Sequence, residues 1–327
     1  MAENENSLST LPRPGMPHTA VVPAAGMGTR FLPVTKSVPK ELLPVVDTPG
    51  IELVAAEAAQ AGAQRLVIVT SEGKDSVVAH FVEDLVLESA LEAKGKSAML
   101  EKVRRAPKLI KVESVIQHQP LGLGHAIAQV EPLLHPDDDA IAVLLPDDLV
   151  LKSPQQVAQE RERDICDQIE IREKVGALNL MAQVRAEHGG SVICAFPVPR
   201  EEISAYGVFD VVEQEGPVRR VRGLVEKPPA EKAPSNLAVA GRYILERAIF
   251  DALREVAPGA GGEIQLTDAI ALLIDRGRPV HLVVWDGYRH DLGNPGGYLK
   301  ASIDFALDRE EYGPGLRAWL ISRLGLS

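Results

Sequence analysis

AVVPAAGMGTRFLPVTKSVPKELLPVVDTP, residues 20 to 49, is the stretch on which the reading of the chain turns. It opens inside a short β-branched run, Thr19 to Val22, and passes into a loop that holds Gly26 and Gly28, with Pro33, Pro39, Pro44 and Pro49 after them. Two glycines behind a strand raise the dinucleotide fingerprint GxGxxG, but Phe31 stands where the third glycine belongs, and no acid closes the next strand. A nicotinamide dehydrogenase is thereby disfavoured. Charge is the sharper signal: from His18 to Lys40 the only charged residues are Arg30, Lys36 and Lys40, a +3 segment in a chain of net charge −11, so the remainder carries −14. Glycines let backbone N–H groups come close to a ligand, and cations fixed beside them suit a polyphosphate. The prolines stiffen the loop and lower the entropy lost in ordering it around that ligand.

Outward from this segment, alternation sets the fold class. Leu66 to Thr70 is a continuous apolar run of the kind buried on both faces of a sheet, and Val112 to Ile116 and Ile141 to Leu145 supply two more strands. Between them, residues 51 to 61 (IELVAAEAAQA) read as a helix, and residues 76 to 93 carry Val78, Phe81, Val82, Leu85 and Leu87 at helical spacing. The pattern predicts an α/β chain: a doubly wound, Rossmann-like fold with a mixed, mostly parallel central sheet. In such sheets ligands bind outside the carboxyl ends of strands, which directs attention to VVPAAGMGTR, QHQPLGLGHA, LLPDDL and VEKPP.

Composition narrows the function classes. The 327 residues are 45% apolar and 25% charged, as globular proteins are, and aromatics at 4% disfavour a stacking platform for single-stranded nucleic acid. The acidic balance argues against nucleic acid or an anionic membrane as partner. Cys166 and Cys194 form neither a disulfide framework nor a zinc cluster, and no basic, apolar leader or membrane-length apolar run is present, so a soluble cytoplasmic protein is expected. Residues 1 to 17 read as a loose polar tail, the charged stretch 155 to 187 as one or two surface helices with Ile171, Val175, Leu178 and Met181 at helical spacing, and residues 308 to 327 as a terminal helix. There Leu316, Trp319, Leu320 and Leu324 share a side that either packs on the core or makes an oligomer contact, in a homodimer or homotetramer.

The opening stretch closely resembles the first motif of the sugar-nucleotide pyrophosphorylases, GxGTRxxPxTxxxPKxxxP. QPLGLGHAI, LLPDDL, SAYGVFD, VEKP, AGRYIL, GGEIQLTDAI and RHDLGNPGGYLKA follow in the family's order, so the resemblance spans residues 18 to 307, which read as one nucleotidyltransferase domain. The alanine pair before the glycine and the PKELLP that follows resemble the uridylyltransferases acting on glucose 1-phosphate. Thymidylyl relatives typically carry two glycines at Ala25-Gly26 and lack the DLGNPGG ending. The resemblance implies that UTP and glucose 1-phosphate are joined into UDP-glucose with release of pyrophosphate, with Mg2+ as cofactor. It implies backbone contacts from Ala25 and Gly26 to uracil, with Gly28 and Arg30 on the triphosphate, Lys40 at its departing end, and Gln119 and Gly124 completing the base pocket. Glu226 would accept sugar hydroxyls, Lys227 hold the sugar phosphate and Gly207 bring backbone to the sugar. Asp147 and Asp148 follow an apolar strand, and because neighbours on an extended chain point opposite ways, one of them faces the metal. The motif favours Asp147, joined by Asp291, and leaves Asp148 among the substrate contacts. An adenylyl or thymidylyl relative, or a non-catalytic nucleotide-sugar-binding paralogue, is the alternative.

Overall fold

β-Branched and aliphatic runs buried on both sides build the centre of the molecule, and alternate side chains of each run enter two different cores. Ala20 and Val22 face one and Val21 the other; Leu66 and Ile68 oppose Val67 and Val69; Ala142 and Leu144 oppose Ile141 and Val143. The computed structural model describes residues 14–153, 176–212 and 215–325. In chain order the elements are β1 (Thr19–Pro23), the hairpin of β2 (Pro44–Val45) and β3 (Thr48–Pro49), α1 (Gly50–Ala61), β4 (Arg65–Thr70), α2 (Asp75–Ala79), α3 (Leu85–Ala93), α4 (Ser97–Arg105), β5 (Lys111–Ile116) and α5 (Leu123–Ala128). There follow β6 (Ala140–Leu144), β7 (Asp148–Leu151), α6 (Leu178–His188), β8 (Ser191–Pro197), β9 (Gly207–Val211), β10 (Val218–Glu226), β11 (Leu237–Glu246), α7 (Ile249–Glu255), α8 (Leu266–Asp275), β12 (Val280–Val284), β13 (Tyr288–Asp291), α9 (Pro295–Leu307) and α10 (Gly313–Leu324).

Nine strands form one mixed sheet in the order β5-β4-β1-β6-β11-β8-β12-β10-β9. The four strands β5, β4, β1 and β6 are parallel, as the βαβ pattern requires. Beyond β6 only the β8–β12 pair is parallel, and β11 runs antiparallel between β6 and β8. "Mostly parallel" therefore holds for the first half alone. Helices α1, α6 and α9 cover one face, and α5, α7 and α8 the other.

Four local expectations change. Residues 76 to 93 are two helices, because Asp84 caps a new one, its carboxylate accepting the Leu87 N–H at 2.9 Å. Val77 and Phe81 enter the core while Val82, Leu85 and Leu87 are exposed. Of the 155 to 187 stretch, residues through 175 lie outside the described residues; from Leu178 on it is a core-packed helix, with Leu178, Met181, Ala182 and Val184 buried. The tail is shorter than expected, since Met16 is buried and the Gly15 carbonyl accepts from Arg185 at 3.1 Å. On α10, Leu316 and Leu320 are half-buried while Trp319 and Leu324 are exposed. Among the described residues no helix is long and apolar enough to cross a membrane.

Candidate active site

The loop leaving β1 starts as a strand extension, the Ala24 N–H donating to Val69 O at 2.7 Å, and then turns at Gly28. Gly28 has φ +63°, and a Cβ there would lie 3.2 Å from both Lys40 Cβ and Thr35 Cγ2, so glycine meets two demands at one position. Its carbonyl accepts the Thr35 hydroxyl at 2.8 Å, which ties the turn to the Val34–Lys36 segment. Ala25 and Gly26 line the outer part of this loop.

The turn from β6 into β7 carries the two aspartates, Asp147 just before β7 and Asp148 at its first position, and they turn opposite ways. Asp147 forms an ion pair with Lys40, with side chains one-third and about one-fifth exposed, at 33% and 18%. Burial on its own would raise the Asp147 carboxyl, but the charge and hydrogen bond of Lys40 outweigh it and hold the group below the usual carboxylate range. Burial likewise pulls Lys40 down, and the same partner carries it above the ordinary lysine value.

Asp148 points away from this pair. Its carboxylate accepts the Gly241 N–H at 2.7 Å and Arg289 Nε at 2.6 Å, and the residue is buried. This corrects its expected place among the substrate contacts: Asp148 anchors the strand end. Gly241 is required for that approach, because a Cβ there would lie 3.0 Å from both Asp148 Cβ and Oδ2.

The β7–β13 ladder sets Asp291 opposite Asp148, and the Leu292 N–H donates to Asp147 O at 2.7 Å. The DLGNPGG turn then folds around Asp291, whose two oxygens take the Gly293 N–H and the Asn294 side-chain amide, each at 2.7 Å. Asn294 caps α9 in turn, with Pro295 at the first helical position. A Cβ on Gly293 would stand 2.9 Å from Asp291 Oδ1, 3.3 Å from Asp147 Oδ2 and 3.5 Å from Arg30 Nη1. Three side chains from distant parts of the sequence thus converge on one small residue. The two carboxylates suit a hard divalent cation that completes its shell with phosphate oxygens and water, and Arg30 and Lys40 beside them suit the phosphates; among the described residues no cluster of three or more His, Cys, Asp or Glu could hold a metal alone.

A second group lies at the far end of β10. Glu226 closes that strand, and Lys227 has φ +44°, an uncommon backbone conformation for a side chain-bearing residue. The Lys227 N–H is held by Tyr206 O at 3.0 Å, and its ammonium lies 3.3 Å from Glu226 Oε1. Gly207 leaves room for the carboxylate, since a Cβ there would approach Glu226 Oε2 to 3.2 Å. Arg289 connects the two groups: besides Asp148 it reaches the Tyr206 hydroxyl at 3.3 Å and stacks on the Phe196 ring at 4.4 Å. Gln119 is exposed at the start of the QPLGLG loop, and the Gly124 N–H is committed to Ile264 O at 2.9 Å, so Gly124 contributes close packing there.

Sequence reasoning missed Lys74, Arg242 and Arg289. Arg242 is fully buried; its Nε donates to Glu57 at 2.8 Å and its Nη1 to the carbonyls of Leu145 and Asp148, on either side of Asp147, at 3.3 and 2.8 Å. Arg242 and Arg289 are lone cations inside motifs chosen for other residues, and Lys74 lies outside every motif, so none gave a signal of its own.

The fold and these loops define a nucleotidyltransferase site: the Nucleotidyl transferase family model matches residues 19–170 and 165–307, and the chain belongs to that family. It is 38% identical over 301 residues to the UTP–glucose-1-phosphate uridylyltransferase YngB of Bacillus subtilis (strain 168), covering 92% of this chain and 93% of the relative. Among solved structures it is similar to a UTP-bound UGPase from Acinetobacter baumannii, with TM-score 0.79 and 35% identity over 94% of this chain and 99% of that one. A UDP-glucose pyrophosphorylase complexed with UDP-glucose matches with TM-score 0.73 and 36% identity over 90% of this chain and all of the other, 100%.

Proposed function

We propose that this chain joins UTP and glucose 1-phosphate into UDP-glucose, releasing pyrophosphate. The observation that carries the reading is the convergence of Arg30, Asp147 and Asp291 at Gly293, with Lys40 on Asp147, in a chain whose similar proteins are uridylyltransferases of glucose 1-phosphate. Helices on both faces of the sheet support the doubly wound, Rossmann-like reading, in which a nucleotide lies across the carboxyl ends of the strands.

The chemistry asks for placement more than for proton transfer. A sugar phosphate is already largely dianionic at neutral pH, its second pKa being about 6, so its oxygen attacks the α-phosphorus in line without a general base. What opposes the reaction is the meeting of two anions, and cations held in fixed positions lower that cost. Ala25 and Gly26 present backbone to the uracil, beside Gln119 and Gly124. Gly28 and Arg30 meet the triphosphate, and Lys40 neutralises the pyrophosphate as it leaves. Lys227 holds the attacking phosphate, its strained backbone fixing the direction of the side chain, while Glu226 and the backbone at Gly207 receive the sugar hydroxyls. Asp147 and Asp291 fit a magnesium ion, which when bound supplies further neutralisation of the phosphate charge. In the free protein Lys40 and Asp147 satisfy each other, and the arriving triphosphate and cation offer each a partner of opposite sign.

Purified protein with UTP, glucose 1-phosphate and magnesium tests the reading by chromatography of the products. Equal amounts of UDP-glucose and pyrophosphate are expected; UTP binding with no product would favour the non-catalytic paralogue instead.

A further inference from the structure

Lys74 lies in the loop after β4, at the start of α2, and none of the motifs above contains it. Its ammonium is 2.7 Å from Ala24 O, 2.6 Å from Gly26 O, and 3.2 and 3.1 Å from the two oxygens of Glu41. An ammonium has three protons, and two carbonyls and one carboxylate take all three. The group is therefore committed to the protein, with none left for a phosphate.

The placement matters because of what the two carbonyls belong to. In a trans peptide the C=O and the following N–H point in opposite directions. With the Ala24 and Gly26 carbonyls drawn toward Lys74, the N–H groups of Ala25 and Met27 are turned away from it. Glu41 ties the arrangement to the PKE segment: Lys40 sends its side chain to Asp147 while its neighbour Glu41 sends its own, buried, to Lys74. One cation thus fixes the glycine loop from behind and joins it to the segment that carries Lys40. Burial pushes the Glu41 carboxyl above its usual range in spite of the two ammonium groups beside it.

We propose that Lys74 is a positioning residue for the nucleotide, fixing the Ala24–Met27 backbone so that its amides meet the uracil and phosphates of UTP. The inference rests on the uridylyltransferase reading, and its test separates the two. Wild-type turnover of UTP and glucose 1-phosphate examines that reading; ratios between variants and wild type examine this one.

The variants are Lys74→Met and Lys74→Arg, each assayed for the KM of both substrates, for kcat and for thermal unfolding. Lys74→Met is expected to raise the KM for UTP about tenfold or more while the KM for glucose 1-phosphate stays within twofold of wild type. Lys74→Arg keeps the charge but replaces a compact point donor by a planar fork, so it also raises the UTP KM, by severalfold. It serves as the test if the methionine variant does not fold. Three results overturn the proposal: a UTP KM within twofold of wild type in both variants, a parallel rise of both KM values with a lower Tm, or full recovery by arginine, which would make Lys74 a source of charge alone.

Discussion

Replacing Arg242 by methionine is the most revealing perturbation of the framework beneath the site. The guanidinium is 0% exposed and its partner Glu57 is 2% exposed, so neither charge is screened by water. Besides Arg242, Glu57 accepts the N–H groups of Ala177 and Leu178 at 2.8 and 3.4 Å, which ties α1 to the first turn of α6. Arg242→Met strands the Glu57 carboxylate in the interior, and breaking a buried pair in this way costs about 3–5 kcal/mol. An unfolding entropy of about 2.1 cal/mol/K per residue over 327 residues is roughly 0.7 kcal/mol/K, so the expected fall in Tm is about 4–7 °C. Total stability is on the order of 5–15 kcal/mol, so the loss is a large share of it, and Glu57→Gln provides a second route to the same measurement. Turnover falls as well, because Nη1 no longer holds the Leu145 and Asp148 carbonyls that flank Asp147. The assay is thermal unfolding of Arg242→Met, Glu57→Gln and the double variant, with turnover measured alongside. Each single change is expected to cost several degrees and the double much less than their sum. A shift under about 2 °C in either single variant, or strict additivity, refutes the reasoning.

Two further outcomes follow from the Lys40–Asp147 pair. Asp147→Asn removes a carboxylate proposed to hold magnesium and should lower turnover on the order of 10²-fold or more; near-normal rates at limiting magnesium contradict the assignment. The pair also sets a pH window. Asp147 is depressed, so its contribution to stability is present above the unfolded carboxylate value of about 3.9 and is lost as pH falls through the folded one. Lys40 is raised, so its contribution is present below about 10.4 and is lost as pH rises through its folded value. The stability difference between wild type and Asp147→Asn, read by urea unfolding, should be flat near neutrality and shrink at both extremes. A difference that stays constant from acid to alkali is the contrary result.

The parallel half of the sheet was legible because β1, β4 and β6 are apolar runs buried along their length, as at Leu66 to Thr70, while the edge strand β5 mixes apolar with polar residues. The second half was not. Whether β11 runs with or against β6 depends on the path of its connection, and nothing in LAVAGRYILE records direction. Helical spacing over 76 to 93 concealed a break because Asp84, an ordinary acid in sequence, acts through a local cap. In the site, motifs led to residues in glycine, proline and aspartate contexts that a phosphate chemistry explains. They did not lead to Lys74, Arg242 or Arg289, whose partners Glu41, Glu57 and Asp148 lie 33, 185 and 141 positions away. A buried cation is defined by what the fold brings to it, and a single sequence does not contain that pairing.

The measurement that bears most directly on the central claim is kcat/KM across a panel of UTP, dTTP, ATP, CTP and GTP with glucose 1-phosphate, repeated with galactose and mannose 1-phosphates, read by pyrophosphate release. The account predicts that UTP with glucose 1-phosphate exceeds every other pairing and that chelation of magnesium abolishes it. Equal or faster turnover with dTTP, or no pyrophosphate from any pairing, would contradict it.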